Sequence, residues 1–342
     1  MRRTASLRKR LAQGFFKCLI DLEYFGPDAV AGVRRSEEIF ALVTDPWDAE
    51  RVQGDIRTEL ALDLETALRE SCRGEKVAVA GLELMEARFV KALGDEPRSA
   101  TTAVEKLRMV KLPRELDAVE RAAKLADSGY ALFADTIEAG MAEYELVAEV
   151  EAFLKAEGAS DNFMLISSGG AEVRGMKPPT ERRFQEGDVV ATELTPCVDG
   201  FYAQICRSLI MGEPNQAQIE AFDIFERARQ AGEDALRPGV NIADVARAEN
   251  DVFREAGFGE YTTADYTRVR GHGLGRFVDE FPHILEDTDC VVCEGMVLIP
   301  HPNTYLPTVG YMVFGDALVV TENGCRSLAK TEQKLFQKSA LG

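Results

Sequence analysis

The chain has 342 residues, of which 46% are hydrophobic and 29% charged, and a formal net charge of −18. That length suggests two domains, or one large domain with a smaller attachment, and lets a sizeable core form without staples. The acidic balance argues against non-specific nucleic-acid binding, which depends on phosphate neutralisation by lysine and arginine, and otherwise reads as a solubility device.

The opening stretch, MRRTASLRKRLAQGFFKCLIDL, has a basic head but neither a long apolar core nor a small-residue cleavage site. It predicts an amphipathic first helix and not a signal peptide. Further along 1–100, EIFALVT and KVAVAGL read as short buried strands, with AERVQGDIRTELALDLETALRESC between them as a helix. A domain boundary falls near residue 105, ahead of a long helical stretch. Pro113 suits a first helical turn, and Glu115 and Asp117 suit its positive end. Leu116, Val119, Ala123, Ala126, Tyr130, Phe133 and Ile137 then recur at helical spacing, predicting a helix over 114–138.

From there the order of elements repeats. The first half continues with a second helix, AEYELVAEVEAFLKAEG, stopped by Gly158. A glycine-bearing segment, ISSGGAEV, and a strand pair, GDVVATELTPCVDGFYAQICRSLIMG, follow. Asp199–Gly200 is a two-residue hairpin turn within that pair. The second half offers helices QIEAFDIFERARQAGEDAL and IADVARAENDVFREAG, the box RGHGLGRFVDE, and strands GMVLIPH and YMVFGDALVV. Two αα-ββ units predict a pseudo-symmetric α+β architecture, an antiparallel sheet backed by helices. No stretch approaches the length needed to span a bilayer.

The seven cysteines, Cys18, Cys72, Cys197, Cys206, Cys290, Cys293 and Cys325, are odd in number and unclustered, which reads as reduced and intracellular. Cys290 and Cys293 form a C-x-x-C pair, but the second pair or spaced histidines of a zinc site are missing, as is the strand-to-helix context of a redox motif. Four polar residues interrupt apolar strands or the glycine box: Glu193, Gln204, His272 and His301. Each alone is commonly a hydrogen-bonded structural group. At equivalent places in a duplicated fold, they point instead to one open face of the sheet.

These same stretches carry a resemblance. From about 105 to 335 the chain resembles the pita-bread superfamily of aminopeptidase P, prolidase, methionine aminopeptidase and creatinase. LRMVKLPRELDAVERAAKLAD is similar to the domain entry, SGGAEVRGMKPPTERRFQEGD to the substrate loop, and GDVVATELTPCVDGFYAQICRSLIMG to the strand pair bearing two metal-binding aspartates. RGHGLGRFVDEFP resembles the metal-histidine box, CEGMVLIPHPNTY the strand with a metal-binding glutamate, and YMVFGDALVVTENG the closing strand with the last glutamate. Residues 1–104 resemble a shortened creatinase-type N-terminal domain, and the resemblance implies a homodimer.

The resemblance also implies a degenerate metal site. The two aspartates fall at Glu193 and Gln204, the metal histidine at His272, and the glutamates at His301 and Gly315, while Glu322 lies further along. The two substrate histidines fall near Met176 and at Asp279. With carboxylates replaced in this way, a pair of dications lacks the charge that bridges it. The reading that follows is a creatinase-like, metal-independent hydrolase of a C–N or amide-like bond in a small polar metabolite. In it His272 is the principal acid and base, Glu193 orients it or activates water, and His301 binds or protonates the leaving group. Gly271 and Gly273 would let substrate approach the backbone beside the imidazole, or else serve a tight strand end with unusual φ.

Gln204, Arg174, Tyr202, Asp279, Glu280 and His283 are candidate substrate contacts. Arg174 suits a carboxylate, with Lys177 as a nearby point charge. Asp279 and Glu280 would perturb one another or simply be solvated. The expected cofactor is none, and the expected partner is a small-molecule substrate in the cytoplasm, with no nucleic acid or membrane. The alternatives are an inactive pita-bread binding protein, and a hydrolase or lyase with one divalent transition metal on Glu193, His272 and His301.

Overall fold

A computed structural model describes residues 28–52 and 56–338. The expected amphipathic first helix and Cys18 lie outside the described residues. The chain divides into two compact units, Met1–Leu107 and Arg108–Gly342.

The first unit has a three-stranded sheet in the order β1 (Ala29–Val33), β2 (Ile39–Val43) and β3 (Ile56–Leu60). The stretch 49–72, expected to be one helix, divides into three elements. Helix α1 (Pro46–Arg51) starts at Asp45, whose side chain accepts from Trp47 N, and α2 (Leu64–Ser71) starts at Asp63, which accepts from Thr66 N. Between them β3 pairs in parallel with β2, Ile39 opposite Ile56 and Val43 opposite Leu60. Pairing with an apolar strand has overridden helix propensity here, and the capping aspartates mark the division. Strands β4 (Ala78–Val79) and β5 (Arg98–Ser99) and helices α3 (Ala87–Ala92) and α4 (Thr101–Met109) complete the region, and the division between units falls within α4. Leu42, Leu64, Leu68, Phe89 and Leu93 form its buried cluster.

In the second unit, α5 (Pro113–Thr136) buries Ala118, Ala122, Ala123, Ala126 and Gly129 along one face. Small residues let the helix sit close to the sheet. A Cβ on Gly129 would lie 3.0 Å from Leu154 and 3.4 Å from Leu194. Helix α6 (Glu143–Ala156) ends near Gly158, whose φ is +95°. The first main sheet runs β15 (Gly315–Asp316), β9 (Ile205–Met211), β7 (Val189–Val198), β6 (Asp161–Gly169), with β8 (Phe201–Tyr202) on β7 and β18 (Phe336–Lys338) parallel to β9. Asp199 and Gly200 both take positive φ, 49° and 76°, as the predicted hairpin turn requires.

Helices α7 (Gln216–Ala235) and α8 (Ile242–Glu255) belong to the second half, whose sheet runs β11 (Glu280–His283), β10 (Gly271–Gly273), β12 (Val297–Pro300), β16 (Leu318–Thr321), β17 (Gly324–Ser327). The run YMVFGDALVV is not one strand. Strand β14 (Gly310–Val313) pairs with β13 (Asn303–Leu306), β15 pairs with β9, and β16 pairs with β12. One continuous stretch therefore ties three sheets together and joins the two halves. No helix among the described residues is long and apolar enough to cross a membrane.

Candidate active site

The site is assembled by register. Across the first sheet, Leu165 lies opposite Glu193, Glu193 opposite Cys206, and Cys206 opposite Gly315. Directly opposed residues of antiparallel strands present their side chains to one face. Glu193, Cys206 and position 315 thus form one row across three strands, and Gln204, two residues before Cys206, is set to the same side. The second sheet supplies His272 from β10, opposite Ile299 on β12, and His301 from the first position after β12. The two imidazoles stand edge to face with centroids 5.2 Å apart.

Each ring has a defined proton. His272 Nδ1 lies 2.9 Å from Gly273 O. A carbonyl oxygen only accepts, so Nδ1 carries the hydrogen and Nε2 keeps its lone pair. His301 is held the opposite way. Buried Arg270 donates to Asn303 Oδ1 (3.0 Å), and that contact turns Asn303 Nδ2 toward His301 Nδ1 (3.0 Å). The ring proton then sits on His301 Nε2, a buried atom with no partner among the described residues. Burial pushes His272 below its ordinary value, against the pull of Asp279. Burial, followed by the His272 ring, pushes His301 down to about 3.

Glu193 is buried at 9% exposure and makes no ion pair among the described residues. Burial, and then the charge of Asp279, raises its carboxyl to about 7. Cys206 is fully buried and accepts a hydrogen bond from Gln204 Nε2 at 3.3 Å. Burial drives its thiol well up. Asp279 and His283 form a half-exposed pair, Nε2 to Oδ1 2.8 Å. Burial works to raise the Asp279 carboxyl, but the hydrogen bond from His283 and the field of the histidine rings leave it below its usual value.

Two expected substrate contacts are engaged elsewhere. Glu280 is buried against Lys111 Nζ (3.2 Å) and accepts from Phe277 N (3.1 Å), so it holds the glycine box to the start of the unit. It is neither solvated nor part of a carboxylate pair with Asp279. Tyr202 donates to Asp161 Oδ2 (2.8 Å). The glycines beside His272 serve packing and not substrate access. Gly271 has φ +138°, and a Cβ there would lie 2.0 Å from Ile299 O, while one on Gly273 would lie 2.8 Å from Phe281 O. Side chains at either position would force β10 off its neighbours. Arg174 lies over the Tyr305 ring at 5.2 Å. With Lys177, Ser167, Glu172 and Arg182 it lines a cavity of about 240 Å³. Ser167 is two residues from Leu165 on β6, which sets it to the same face as Glu193, and its buried hydroxyl has no partner among the described residues.

A family model, metallopeptidase family M24, matches residues 117–322, well over half of the chain. The chain belongs to metallopeptidase family M24. Among M24 relatives, the chain is 29% identical to the "Xaa-Pro dipeptidase" of Pyrococcus furiosus over 68% of this chain and 66% of that protein. It is 31% identical to the "Probable dipeptidase PepE" of Mycobacterium tuberculosis over 77% of this chain and 71% of that protein. Among solved structures, the prolidase from Pyrococcus horikoshii OT3 superposes with a TM-score of 0.85 at 22% identity, covering 94% of this chain and 93% of that one. The fold is thus the pita-bread α+β fold expected.

The M24 match corrects two expectations. This is a family of metallopeptidases, and its relatives here are named dipeptidases. A metal-independent enzyme for non-peptide bonds, with no cofactor, does not stand against that. The site itself decides how much metal it fits. Two bridged dications need several carboxylates, and Glu193 is the only one among the five positions that the resemblance assigns to metal. Position 315 is closed as well as bare. A Cβ there would lie 2.4 Å from Pro300 O and 2.6 Å from His301 Cβ. A single ion fits. Glu193, Cys206 and His301 offer donor atoms all within 4.8 Å of one another, the one such group among the described residues. For His301 Nε2 to serve, the ring proton must move to Nδ1 and the Asn303 amide must turn its oxygen to receive it.

Cys206, Asn303 and Arg270 were not singled out from the sequence as parts of the site. The signal for Cys206 was its two-residue spacing from Gln204 on one strand. Nothing local marks Asn303 or Arg270.

Proposed function

We propose that this protein is a hydrolase of short peptides that works with one bound ion where its relatives' resemblance implies two. The observation that carries this reading is the convergence of Glu193, Cys206 and His301 in a family of metallopeptidases. The names of the relatives support a dipeptide-sized substrate.

The residues divide the work. An ion held by Glu193, Cys206 and His301 would supply Lewis-acid polarisation of the scissile carbonyl. His272, neutral and with its Nε2 lone pair free of the Gly273 bond, takes a proton from the attacking water and returns it to the leaving nitrogen. The Asp279 carboxylate steadies the imidazolium that forms. Gln204 keeps the thiol oriented. The cavity beside the site, with Arg174 and Lys177, receives the substrate's carboxylate end. The homodimer implied by the resemblance and the intracellular setting read from the cysteines belong to the same proposal.

The test is a panel of dipeptides assayed before and after chelation, with stoichiometric return of zinc or cobalt. Hydrolysis that disappears with the metal and returns fully at one ion per chain is the expected result. Turnover that is indifferent to chelation, or that needs two ions per chain, would remove the reading.

A further inference from the structure

Among the buried groups of this site, the thiol is the one that neither the family resemblance nor the acid–base chemistry uses. Cys206 sits in the row between Glu193 and the closed position 315, and among the described residues its sulfur accepts a hydrogen bond from Gln204 Nε2. Two further observations turn it from a packed thiol into a candidate ligand. His301 Nε2 is buried at the same place without a partner among the described residues, and Glu193 has no cation against it there. A buried imidazole nitrogen without a partner is costly as a structural arrangement, and here it lies with a carboxylate and a thiol as possible donors within 4.8 Å. The three match the donor set of a four-coordinate ion with one open position.

We infer that Cys206 is a thiolate ligand, and that it makes this centre selective for a borderline ion such as zinc or cobalt(II) over manganese or magnesium. The inference rests on the one-ion reading above and adds the charge state of the sulfur and the class of ion that it selects. Oxygen-preferring ions need carboxylates and carbonyls, and here only Glu193 offers one, whereas sulfur and imidazole shift preference along the softer series. On loading, the thiol proton leaves to solvent as the sulfur–metal bond forms, and the Gln204 N–H bond to sulfur stabilises the charge that remains.

The experiment uses the full chain stripped of metal and titrated with cobalt(II). It is run in a Cys293→Ser background, so that the exposed thiol of the C-x-x-C pair does not compete. The expected result is a near-ultraviolet sulfur-to-cobalt charge-transfer band rising to one equivalent, with the intense visible bands of a tetrahedral ion. Cys206→Ser should then lose the near-ultraviolet band while retaining weaker cobalt binding. Visible bands without the charge-transfer band, or a charge-transfer band undiminished by Cys206→Ser, would overturn the thiolate and leave a one-ion site without sulfur from Cys206. Absence of any cobalt binding would overturn the one-ion reading itself. Should Cys206→Ser fail to fold, X-ray absorption on the unsubstituted zinc-loaded chain decides instead. A sulfur scatterer at about 2.3 Å supports the assignment and a shell of nitrogen and oxygen alone refutes it.

Discussion

Glu280 and Glu193 are both buried carboxylates of the second unit, yet their surroundings differ in kind. Glu280 has Lys111 at 3.2 Å, Arg108 at 3.9 Å and the Phe277 amide at 3.1 Å. Glu193 makes no ion pair among the described residues, and burial followed by the charge of Asp279 lifts its carboxyl to about 7. A buried charge that is paired and hydrogen-bonded fixes structure, whereas one left open awaits something the chain does not provide. The sequence places Glu280 beside Asp279 as a pair for substrate. The structure gives it to the scaffold.

The largest effect should come from breaking the satisfied member. Lys111→Met leaves Glu280 buried with the more distant Arg108 as its one remaining ion-pair partner among the described residues. Such a break costs about 3–5 kcal/mol, because the carboxylate keeps its desolvation and loses its partner. Denaturant unfolding should show that loss, and adding Glu280→Gln should recover most of it. A single substitution costing less than about 1 kcal/mol would show that Glu280 is no better satisfied than Glu193.

A smaller effect sharpens the other side. Asn303 presents its amide nitrogen to His301 Nδ1 because Arg270 holds its oxygen. That polarity opposes the tautomer that binds a metal. Asn303→Asp puts an acceptor there whichever way the group turns, and Arg270 still donates to it. A carboxylate behind a histidine ligand changes metal affinity by about 10–100-fold. Competition with a chromophoric chelator should therefore show zinc bound about tenfold more tightly by the variant. Weaker binding would mean that His301 serves as a hydrogen-bond donor and not as a ligand.

How much of this was legible follows from where the determining contacts lie. The long helices announced themselves by periodicity, and the Asp199–Gly200 turn by its two residues, because those signals are local. Glu193, Gln204, His272 and His301 stood out as polar breaks in apolar strands; the structure sets the first two with one sheet and the histidines with another, and brings donor atoms of Glu193 and His301 within 4.8 Å. The helix expected over 49–72 failed because the pairing of β3 with β2 is a long-range contact. Cys206 was passed over because a buried cysteine is compositionally indistinguishable from a small apolar residue. The relay from Arg270 through Asn303 to His301 depends on a contact spanning 33 residues, which no local pattern encodes. The metal-free reading, overturned by the metallopeptidase family match, had counted lost carboxylates and had not weighed the thiol at a neighbouring strand position.

A third glutamate sets the bottom of the scale. Glu249, on α8, is fully buried, and both its carboxyl oxygens lack a partner among the described residues. It lies over Gly232 of α7, where a Cβ would come within 2.4 Å of its Oε1. Among the described residues no group of three metal-binding donors includes it, so it lacks the company that Glu193 has. Burial raises its pKa well above the ordinary range, with Arg270 pulling the other way. Being higher folded than unfolded, that pKa leaves stability intact below the unfolded carboxyl value of about 4.3 and drains it as pH rises beyond. From pH 5 to 8 the unfolding free energy should decline relative to Glu249→Gln, and the decline should continue until the pH passes the raised folded value. Parallel stability curves for the two proteins would mean that Glu249 ionises in the fold as it does in the unfolded chain. The contrast between a partnered and an unpartnered buried carboxylate would then fail at its simplest case.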